Sequence, residues 1–513
     1  MAAIPKKDLQ FLEDLSQLTF CNPFLPERVE LEQRILGKSN RKVPAVWNFS
    51  VGEDAENWAN TLAISEMIGP VAESLLKQLE SGVDFDDHEI QMYEDLVLYL
   101  LYDKYRPRLK GLMVEFAAGG CHQKCEDAWR EFLVDLDRFR QPALKRFQLL
   151  NQAEHLWACY FQILRAFHHV FYCIVGSSVA AARLRASIWQ SLLTHNLRRY
   201  VHSLHKCMHD IPTLITGPSG SGKELVARAI SLSQYIPFDS KKGEFVADYA
   251  SAVFAVNLAA LSPTLIESEL FGHRKGSFTG ATEDRKGMFE ACEKTGTVFL
   301  DEIGELDESI QVKLLRVLQN RTFQRLGDLT ERKFSGKLIA ATNRDFAKEL
   351  NEGNFRTDLY YRLCADMIQT PSLEQQLSDN YDDLKILVVH LADQLSCLDG
   401  AQIGNEACEW IEANLGRHYS WPGNVRELEQ CLRNFMIRGV YCPVNQSTAN
   451  TRQQIVNSML SGEFTAEQLL EKYCTMIYSQ TGSYEEAARR LEIDRRTVKR
   501  KVNEQLLEEL RRG

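Results

Sequence analysis

Apolar residues recur at helical spacing along roughly the first third of the chain. In residues 95–102 and 128–175 they return every three or four positions with charged side chains between them, the pattern of a helix with one buried face. Neither segment contains a phosphate-binding loop, a repeat or a catalytic constellation. We therefore predict a mostly helical N-terminal region over residues 1–175, and the residues alone do not indicate its function.

Short apolar runs replace the helical pattern after about residue 211. Segments with helical spacing separate these runs, and strands that alternate with helices form parallel sheets with crossover connections. We therefore predict an α/β domain over residues 176–372, in which a Gly-Ser-Ser hinge at 176–178 precedes a helix at 179–193. The predicted strands are 214–215, 253–256, 298–300 and 338–341.

Three further segments follow the α/β domain. Residues 373–440 again show helical spacing with mixed charge and predict a small helical lid. Residues 441–462 are rich in Pro, Asn, Ser and Thr, which indicates a polar linker. Residues 463–513 return to a helical pattern and predict a closing helical module.

Composition narrows the class of protein. With 44% hydrophobic and 25% charged residues, the 513-residue chain is typical of a soluble protein of several domains. Its 13 scattered cysteines favour a reducing compartment, and no signal segment is evident, so we expect a cytoplasmic protein. Arg165, His168 and His169 interrupt the most apolar span, 158–182, so we expect no membrane helix. A net charge of −10 argues against a chain that coats nucleic acid along its whole length but permits a local basic module.

Two clusters in the N-terminal region carry histidine and cysteine. A His and a Cys four residues apart share one face of a helix and could bind a metal ion or haem. We favour buried cysteines and hydrogen-bonded histidines instead, because no close-spaced ligand pairs recur. The residues concerned are Cys121, His122 and Cys125, and His155, Cys159, His168, His169 and Cys173.

A glycine-rich loop follows the first predicted strand and precedes a predicted helix. In that layout the glycines let backbone N–H groups converge on phosphate oxygens, the helix N-terminus adds a favourable dipole, and Lys223 supplies a positive charge. The loop therefore predicts ATP as a ligand. A glycine-rich loop without a nucleotide is the alternative, which the flanking strand and helix disfavour. The loop residues are Gly217, Pro218, Ser219, Gly220, Ser221, Gly222, Lys223 and Glu224, the last standing where Ser or Thr is usual.

Polar residues end three of the predicted strands. Asp301 and Glu302 follow the run 298–300, and we predict that Asp301 binds Mg²⁺ and Glu302 orients the attacking water. Asn343 ends another strand and is placed to contact the γ-phosphate or the water. We expect Asn257 to hydrogen-bond Glu302 and hold it inactive until the nucleotide changes the geometry. Each asparagine alone is typical of a turn; their repeated position at strand ends favours a catalytic role.

Three arginines are candidates for contact with a nucleotide. Arg356 and Arg362 lie near the end of the α/β domain, where they could reach the γ-phosphate of a neighbouring subunit and stabilise transition-state charge. Surface ion pairing, with Asp358 for example, is the alternative. Arg426 follows the turn at 421–424, where we expect Asn424 to cap the next helix, and could reach the nucleotide from the lid.

A segment between the glycine-rich loop and the acidic strand carries a further candidate site. Two glycines flank a Ser-Phe-Thr tip, and an exposed Phe278 at such a tip predicts a contact surface. A plain hairpin turn is the alternative. The segment consists of Gly276, Ser277, Phe278, Thr279, Gly280 and Ala281.

The final module predicts a helix-turn-helix. Ser483 and Glu486 form a candidate capping box, small residues at 487–488 permit close packing, and Asp494 is placed to cap a second, basic helix. A solvated charged helix is the alternative. The predicted DNA-binding residues are Arg495, Arg496, Thr497, Lys499 and Arg500, of which Arg496 and Thr497 are candidates for reading bases and the others for phosphate contact.

These motifs together resemble the bacterial sigma-54-dependent transcription activators, the enhancer-binding AAA+ family. The segment 276–281 resembles their GAFTGA loop. The loop at Gly217, the acidic strand, the two arginines and the segment 421–428 match in order and spacing over about residues 176–440. Residues 463–513 resemble the Fis-like DNA-binding domain that ends many members.

The resemblance implies a fold and roles for the candidate residues. It implies an AAA+ sheet with a helical lid, Asn257 as a switch to Glu302, Asn343 and Arg426 as sensors, and Arg356 with Arg362 as fingers acting in trans. It further implies that Phe278 and Thr279 contact sigma-54, that Glu224 is usual after the lysine, and that residues 1–175 are regulatory.

Four departures from the family pattern stand out. Ser277 replaces an alanine, a stretch at 238–251 is additional, and residues 372–377 lack the usual arginines. Residues before 175 do not resemble a phosphoryl-receiver domain.

The sequence thus predicts an ATPase that forms a homo-oligomeric ring, expected to be a hexamer, binds upstream DNA sites and remodels sigma-54 RNA polymerase to open promoters. Two other functions fit parts of the pattern. One is a DNA-binding regulator whose ATPase serves only assembly. The other is an AAA+ remodeller of a different target, which the 276–281 loop and the DNA-binding module disfavour.

Overall fold

A computed structural model describes residues 4–37, 59–117, 123–248, 253–395, 399–443, 459, 464–504 and 506–507. By compactness these form two units, Met1–Arg433 and Asn434–Gly513, and each is described by itself. None of the helices in these ranges is both long and apolar enough to cross a membrane.

The N-terminal region is helical, as predicted. Its helices pack around α4, and the core is rich in aromatic rings: Trp157 and Tyr105 are buried and lie 5.8 Å apart, centroid to centroid. These helices are α1 (Lys6–Phe20), α2 (Pro26–Leu36), α3 (Ala59–Glu80), α4 (Asp87–Ala117), α5 (Gln123–Arg140) and α6 (Ala153–Cys173). Two helices follow them before the first strand: α7 (Val179–Leu193), which the sequence predicted, and α8 (Leu197–His202).

A five-stranded parallel sheet forms the centre of the α/β part, in the order β11-β1-β10-β7-β4. The four predicted strands are confirmed. The sequence reading missed β11, because its residues alternate between buried and exposed at the sheet edge, whereas β10 is buried at every position. The strands are β1 (Thr213–Thr216), β4 (Val253–Asn257), β7 (Thr297–Asp301), β10 (Lys337–Thr342) and β11 (Asp366–Gln369).

Three short antiparallel hairpins project from the connections between these strands. The first occupies the additional stretch at 238–251, of which residues 249–251 lie outside the described ranges. The pairs are β2 (Phe238–Asp239) with β3 (Glu244–Phe245), β5 (Gly272–His273) with β6 (Arg285–Lys286), and β8 (Thr322–Phe323) with β9 (Arg332–Lys333).

Helices cover the sheet and form the predicted lid. The lid begins directly after β11. The helices between strands are α9 (Lys223–Ser231), α10 (Pro263–Phe271), α11 (Met288–Ala291), α12 (Glu308–Asn320), α13 (Phe346–Asn351) and α14 (Thr357–Leu363). Those of the lid are α15 (Leu373–Asp379), α16 (Asp383–Leu395), α17 (Gly400–Asn414) and α18 (Asn424–Arg438).

The segment 176–178, which the sequence suggested as a hinge, is bound to the lid. The buried Asp383 carboxylate accepts hydrogen bonds from the backbone N–H groups of Ser177 (2.5 Å) and Ser178 (3.2 Å). Arg185 donates to the carbonyl oxygens of Ile174 (2.8 Å) and Gly176 (2.5 Å). These bonds fix the backbone where the N-terminal region meets the α/β part.

The N-terminal helices and the α/β part share one hydrophobic core. Buried residues of α4, α6 and the β2–β3 hairpin belong to the same cluster as Ile215, Ile339 and Ile368 of the sheet. The division of the chain into compact units therefore has no boundary near residue 175 or 372. The domain limits predicted from the sequence stay predictions.

Three described helices lie wholly within the C-terminal unit. They are α19 (Ala466–Thr481), α20 (Tyr484–Leu491) and α21 (Arg495–Lys501), and they bury Ile477, Ala487 and Val498 together. Thr465 and Gln468 form a reciprocal capping box at the start of α19. Most of the predicted linker, residues 444–458 and 460–462, lies outside the described ranges.

Candidate nucleotide site and contact loop

Backbone conformation shapes the loop between β1 and α9. Gly217, Gly220 and Gly222 have φ of 147°, 74° and 88°, which L-residues with a side chain rarely adopt. Lys223, the first residue of α9, is buried and donates through Nζ to the carbonyl oxygens of Gly217 (3.1 Å) and Pro218 (3.3 Å). The predicted strand, glycine-rich turn and helix are thus all present.

The lid contacts the same loop through the start of α18. The Arg426 guanidinium donates to Ser219 Oγ at 3.0 Å, and Asn424 Nδ2 donates to the Ser219 carbonyl oxygen at 2.9 Å. Val425 N–H donates to the Gly220 carbonyl oxygen at 3.1 Å. Arg426 is therefore placed where the sequence suggested, beside the loop.

The sequence predicted that the Asn424 side chain caps α18, and this prediction is wrong. Its Oδ1 accepts from Leu373 N–H at 2.8 Å, while its Nδ2 is used on Ser219. The reason is that the residue adopts a left-handed φ of 53°, which turns the side chain toward other elements. Asn424 therefore joins three elements: the loop, the start of the lid and α18.

Thr370 is a contact of the loop that the sequence reading missed. It directly follows β11, and its Oγ1 lies 2.6 Å from Ser221 Oγ and donates to the Thr216 carbonyl oxygen at 3.2 Å. A Cβ atom on Gly217 would lie 2.1 Å from Thr370 Oγ1, so only glycine fits there. No sequence signal marked this residue, because the edge strand before it was not recognised.

The acidic residues lie at the carboxyl end of β7, as predicted, but their partners differ from the expected ones. Asn257 Nδ2 donates to Asp301 Oδ2 at 3.1 Å, not to Glu302. The reason is register: β4 and β7 pair so that Asn257 lies beside Asp301. Glu302 has a left-handed backbone (φ 56°, ψ 52°), and its Oε2 accepts from Asn343 N–H at 3.3 Å. The prediction that Asn257 hydrogen-bonds Glu302 is therefore wrong.

Lys223 and the two carboxylates form one electrostatic group. Burial lowers the pKa of Lys223, the Glu302 and Asp301 carboxylates raise it, and Arg426 lowers it again, with a net shift below the ordinary lysine value. Added negative charge beside the ammonium would favour its charged form. The site therefore suits an anion such as a phosphate group.

The chemistry of the residues fits a nucleotide with Mg²⁺. The glycines permit the left-handed backbone of the loop, whose N–H groups can bind phosphate oxygens, and Lys223 provides the cation. Each Asp301 oxygen accepts one hydrogen bond, Oδ1 from Glu302 N–H and Oδ2 from Asn257, which leaves lone pairs for a hydrated cation. Asp301 and Lys223 are thus the residues suited to hold the metal and the phosphates.

The two candidate finger arginines differ in their surroundings. Arg356 donates to both Asp358 oxygens, at 3.1 and 2.8 Å, and lies 3.4 Å from Glu308. Arg362 is exposed on α14 and, among the described residues, has no ion-pair partner. The pairing of Arg356 with Asp358 that the sequence offered as an alternative is present within the chain.

The segment 276–281 forms the tip of the β5–β6 hairpin. Gly276 N–H donates to the Ala281 carbonyl oxygen at 2.8 Å, and Ala281 N–H to that of Phe278 at 3.0 Å. Thr279 and Gly280 are exposed, but Phe278 is half-buried, because its ring packs edge-on against His273 at 5.0 Å between centroids. The prediction that Phe278 is exposed is therefore wrong, because the side chain is half-buried.

A second hairpin supports this tip. Arg274 bridges Asp284 at 3.2 Å and Asp328 at 3.4 Å, and Asp328 belongs to the β8–β9 turn. A Cβ atom on Gly327 would lie 2.9 Å from Ser277 Cβ, so the two turns are in close contact. Leu329, at the end of the second turn, is 91% exposed.

The histidine and cysteine clusters show hydrogen bonding and burial. His155 uses both ring nitrogens, with Tyr235 OH at 2.8 Å and the Val201 carbonyl oxygen at 2.6 Å, and burial raises the pKa of the Cys159 thiol. Over the described ranges, no group of three or more His, Cys, Asp or Glu side chains could hold a metal ion. Cys121 and His122 lie outside those ranges.

The predicted DNA-binding residues all lie on α21, within the C-terminal unit. Asp494 accepts from Arg496 N–H at 2.7 Å and caps the helix, as expected. The capping box at Ser483 is only half formed, because Ser483 Oγ accepts from Glu486 N–H at 3.4 Å while the Glu486 carboxylate pairs with Arg489. Val498 is buried, and the basic side chains are exposed: Arg495, Arg496, Lys499 and Arg500, with Thr497 half-buried beside them.

Comparison with known proteins shows what the α/β part is similar to. Residues 191–369 match the sigma-54 interaction domain. The chain is 45% identical over 227 residues to a Nif-specific regulatory protein of Enterobacter agglomerans, covering 44% of this chain and 39% of that protein. It is 36% identical over 298 residues to the transcriptional regulatory protein ZraR of Salmonella typhimurium, covering 57% and 63%. With the nitrogen fixation protein AnfA of Azotobacter vinelandii it shares 43% over 224 residues, covering 44% and 38%.

Among solved structures, NtrX from Brucella abortus aligns with a TM-score of 0.40 at 25% identity, covering 70% of this chain and 75% of that one. This global similarity is too low to define the fold.

Residues 191–369 therefore match the sigma-54 interaction domain, and the resemblance to sigma-54-dependent activators that the motifs suggested is confirmed. The chain matches less than two thirds of the length of these relatives.

Proposed function

We propose that this protein is an ATP-hydrolysing transcription activator that remodels sigma-54 RNA polymerase to open promoters. One observation carries the proposal. The glycine-rich loop with its carboxylates and the 276–281 hairpin tip lie in a single domain that matches the sigma-54 interaction domain. A nucleotide site and a protruding contact loop in one domain are what coupling of hydrolysis to work on a partner requires.

The residues divide the work of hydrolysis among them. ATP with Mg²⁺ supplies the bond to be cleaved and the counter-charge on its phosphates. Lys223 and the loop N–H groups bind and orient the phosphates, and Asp301 holds the metal. Glu302 orients the attacking water; its backbone is left-handed, a strained conformation, and its carboxylate accepts the bond from Asn343 N–H. Asn257 positions Asp301.

Contacts with partners complete the proposal. Phe278 and Thr279 contact sigma-54, and residues 463–513 hold the protein on upstream DNA through α21. Arg356 and Arg362 act on the nucleotide of the next subunit in a homo-oligomeric ring, a hexamer, and Arg426 senses the nucleotide from the lid. Arg356 must leave Asp358 to do so, which is easy for an exposed ion pair, because water screens the attraction between its charges.

Substitution of Thr279 by Ala tests the coupling. We expect ATP hydrolysis to stay within about twofold of the unmodified protein, because Thr279 is exposed and lies far along the chain from the nucleotide loop. Promoter opening with sigma-54 polymerase should fall at least tenfold. Both rates are measured on the same preparation.

Two controls frame this experiment. Ser277→Ala places the family's alanine in the tip and should retain both activities, whereas Lys223→Ala should lose both because it removes the phosphate-binding charge. Equal loss of hydrolysis and promoter opening in Thr279→Ala would overturn the coupling role.

A further inference from the structure

A polar cavity of about 460 Å³ lies at the amino end of the central sheet. Lys337, the first residue of β10, is on its lining, whereas the nucleotide loop follows the carboxyl end of the parallel strand β1. The other walls come from α7, from the segment 204–210 after α8, and from the connections that precede β2 and β7. The residues proposed to act on ATP, sigma-54 or DNA are not on this lining, so the proposed function leaves the cavity unexplained.

The buried ammonium group of Lys337 has more donors than partners. The residue is 2% exposed, and its Nζ donates to the Ile211 carbonyl oxygen at 2.8 Å, which uses one of its three N–H groups. Among the described residues it forms no ion pair. Burial lowers the pKa of Lys337 to about 8, the charge of Asp366 raises it, and that of Arg321 lowers it again. A buried cation without a carboxylate partner costs free energy, which an anion in the cavity would offset.

The neighbouring polar groups do not supply that anion. Asp366, the first residue of β11, accepts at Oδ2 from Ser191 Oγ at 2.5 Å and from Thr213 Oγ1 at 2.7 Å. Thr297 lies beside Lys337 in the sheet register, is buried, and has no hydrogen-bond partner for its Oγ1 in the described part of the chain. Unused hydrogen-bonding capacity is therefore concentrated where β7 and β10 begin.

Further positive charge surrounds the cavity. Lys206 and Lys294 are exposed residues of the lining, and neither forms an ion pair with a described residue. His205 and His209 line the cavity too. Over the described ranges, Glu293 is the single carboxylate of the lining, against three lysines. A cleft lined by an excess of one charge attracts ligands of the opposite charge, here an anion.

The pKa of His209 reflects this excess charge. Burial lowers the pKa of His209, and the Asp210 carboxylate raises it. Three cations lower it again: Lys294, Arg321 and Lys337. An anion bound among these cations would oppose their effect and favour the charged imidazolium. The titration of His209 therefore provides a measure of whether the cavity is occupied.

The type of cation and the volume indicate the class of anion. The described lining contains no arginine, so it lacks the planar fork that binds carboxylates through two parallel hydrogen bonds. Lysine ammonium groups act as point charges and commonly bind phosphate. A volume of 460 Å³ is in the usual range of small-molecule sites, about 300–1,000 Å³, and leaves room for an organic group beyond the phosphate. Ser191, Gln234 and Thr295 add polar groups for that part of the ligand.

We propose that this cavity binds a phosphate monoester of a small polar molecule. The dianionic phosphate pairs with Lys337, Lys206 and Lys294, and the organic part contacts the hydroxyl and amide groups of the lining. Because both the segment 204–210 and the sheet contribute cations, the ligand joins the two. The site goes beyond the proposed function and does not depend on it, since the nucleotide loop lies at the other end of the strands.

Binding is tested by isothermal titration calorimetry with glycerol 3-phosphate as the probe. The full chain carries Lys223→Ala, which removes the phosphate-binding charge of the nucleotide loop. We expect saturable binding to one site, at least tenfold weaker binding of inorganic phosphate, and no binding of glycerol. Absence of saturable binding, or equal affinity for inorganic phosphate, would overturn the phosphate-ester site.

Substitution of the buried lysine locates the probe. In the same background, Lys337→Met should weaken the probe at least tenfold, and the fold should be kept because methionine replaces a buried charge with an apolar side chain of similar length. Lys348→Met, at a lysine of α13 that is 70% exposed, is the matched control and should bind the probe normally. Unchanged affinity in folded Lys337→Met would contradict the assignment.

A second variant makes the test independent of the buried position. Lys206→Gln/Lys294→Gln removes two exposed charges, which should leave the fold intact, and it should weaken the probe at least fivefold. Retained affinity in this double variant would show that the cations of the lining do not bind the phosphate.

The pKa of His209 reports the position of the bound phosphate. With the probe saturating, we expect this pKa to rise by at least about 0.5, followed by NMR titration of the ring protons and assigned with His209→Gln. His390 of the lid is the control: burial lowers its pKa as well, but it is not on the cavity lining, so its pKa should not change. If the probe binds and the pKa of His209 stays the same, the phosphate lies elsewhere and the proposed site is wrong.

Discussion

At the scale of single residues, backbone conformation decides which candidate side chains meet. Asp301 and Glu302 are adjacent, yet the left-handed backbone of Glu302 turns it toward Asn343 while Asp301 faces Asn257. A left-handed conformation costs a non-glycine residue about 1–2 kcal/mol, so the surrounding structure must hold it. Strain of this kind is found at functional sites, which agrees with the role proposed for Glu302.

Gly220 offers a test at this scale, because a Cβ atom there would lie 2.4 Å from the Gly423 carbonyl oxygen. We expect Gly220→Ala to displace the lid from the loop and to weaken nucleotide binding at least tenfold, measured by titration with a fluorescent ATP analogue.

Gly82→Ala is the matched control for that variant. Its φ of 84° is close to the 74° of Gly220, but nothing lies within 4 Å of the added Cβ. It should therefore cost only the conformational penalty, about 1 kcal/mol of unfolding free energy, with nucleotide affinity unchanged. Equal nucleotide affinity in both variants would contradict the role of the lid junction.

At the scale of elements, the hairpin β2–β3 joins the N-terminal helices to the α/β part. Phe245 stacks on Phe161 of α6 at 4.3 Å, and Phe238 lies 4.9 Å from Trp129 of α5, centroid to centroid. The sequence showed this stretch only as an addition to the family pattern. Its function in the fold is to provide two buried aromatic rings to the helical core.

Phe245→Ala should therefore destabilise the larger unit by about 3–5 kcal/mol, because it leaves a cavity where a buried aromatic ring packed. Val246→Ala is the matched control: the neighbouring side chain is 54% exposed, and its loss should change stability by less than about 0.5 kcal/mol. Denaturant unfolding of the full chain measures both. Similar stability of the two variants would show that the hairpin does not anchor the N-terminal helices.

At the scale of the whole molecule, the proposed ring requires that Arg356 and Lys223 of different subunits build one active site. Lys223→Ala and Arg356→Ala should each hydrolyse ATP at least tenfold more slowly than the unmodified protein. In a mixture of the two, some interfaces pair an intact loop with an intact arginine, so part of the hydrolysis should return.

The control for this mixing experiment uses the double variant Lys223→Ala/Arg356→Ala with Lys223→Ala, a mixture that contains no intact loop and should stay inactive. If the two single variants assemble together and hydrolysis does not recover, Arg356 does not act in trans.

Prediction from sequence succeeded where one physical cause dominates a segment. Strands β1, β7 and β10 are buried on both faces and therefore read as unbroken apolar runs, and the glycine-rich loop needs its glycines for its backbone conformation. The sequence pattern did not predict edge strand β11 or the strands of the short hairpins. Their residues are half exposed, and their pairing depends on segments that are distant in the chain.

The sequence by itself determined the residue types of the nucleotide loop, the acidic strand end, the hairpin tip and the basic helix, because each follows from local spacing and chemistry. Only the tertiary structure decided which of these groups meet. Sheet register brought Asn257 to Asp301, the end of β11 brought Thr370 to the loop, and packing placed Arg165 of α6 at the end of α9. Contacts between residues far apart in the chain depend on the packing of whole elements, which local pattern does not contain.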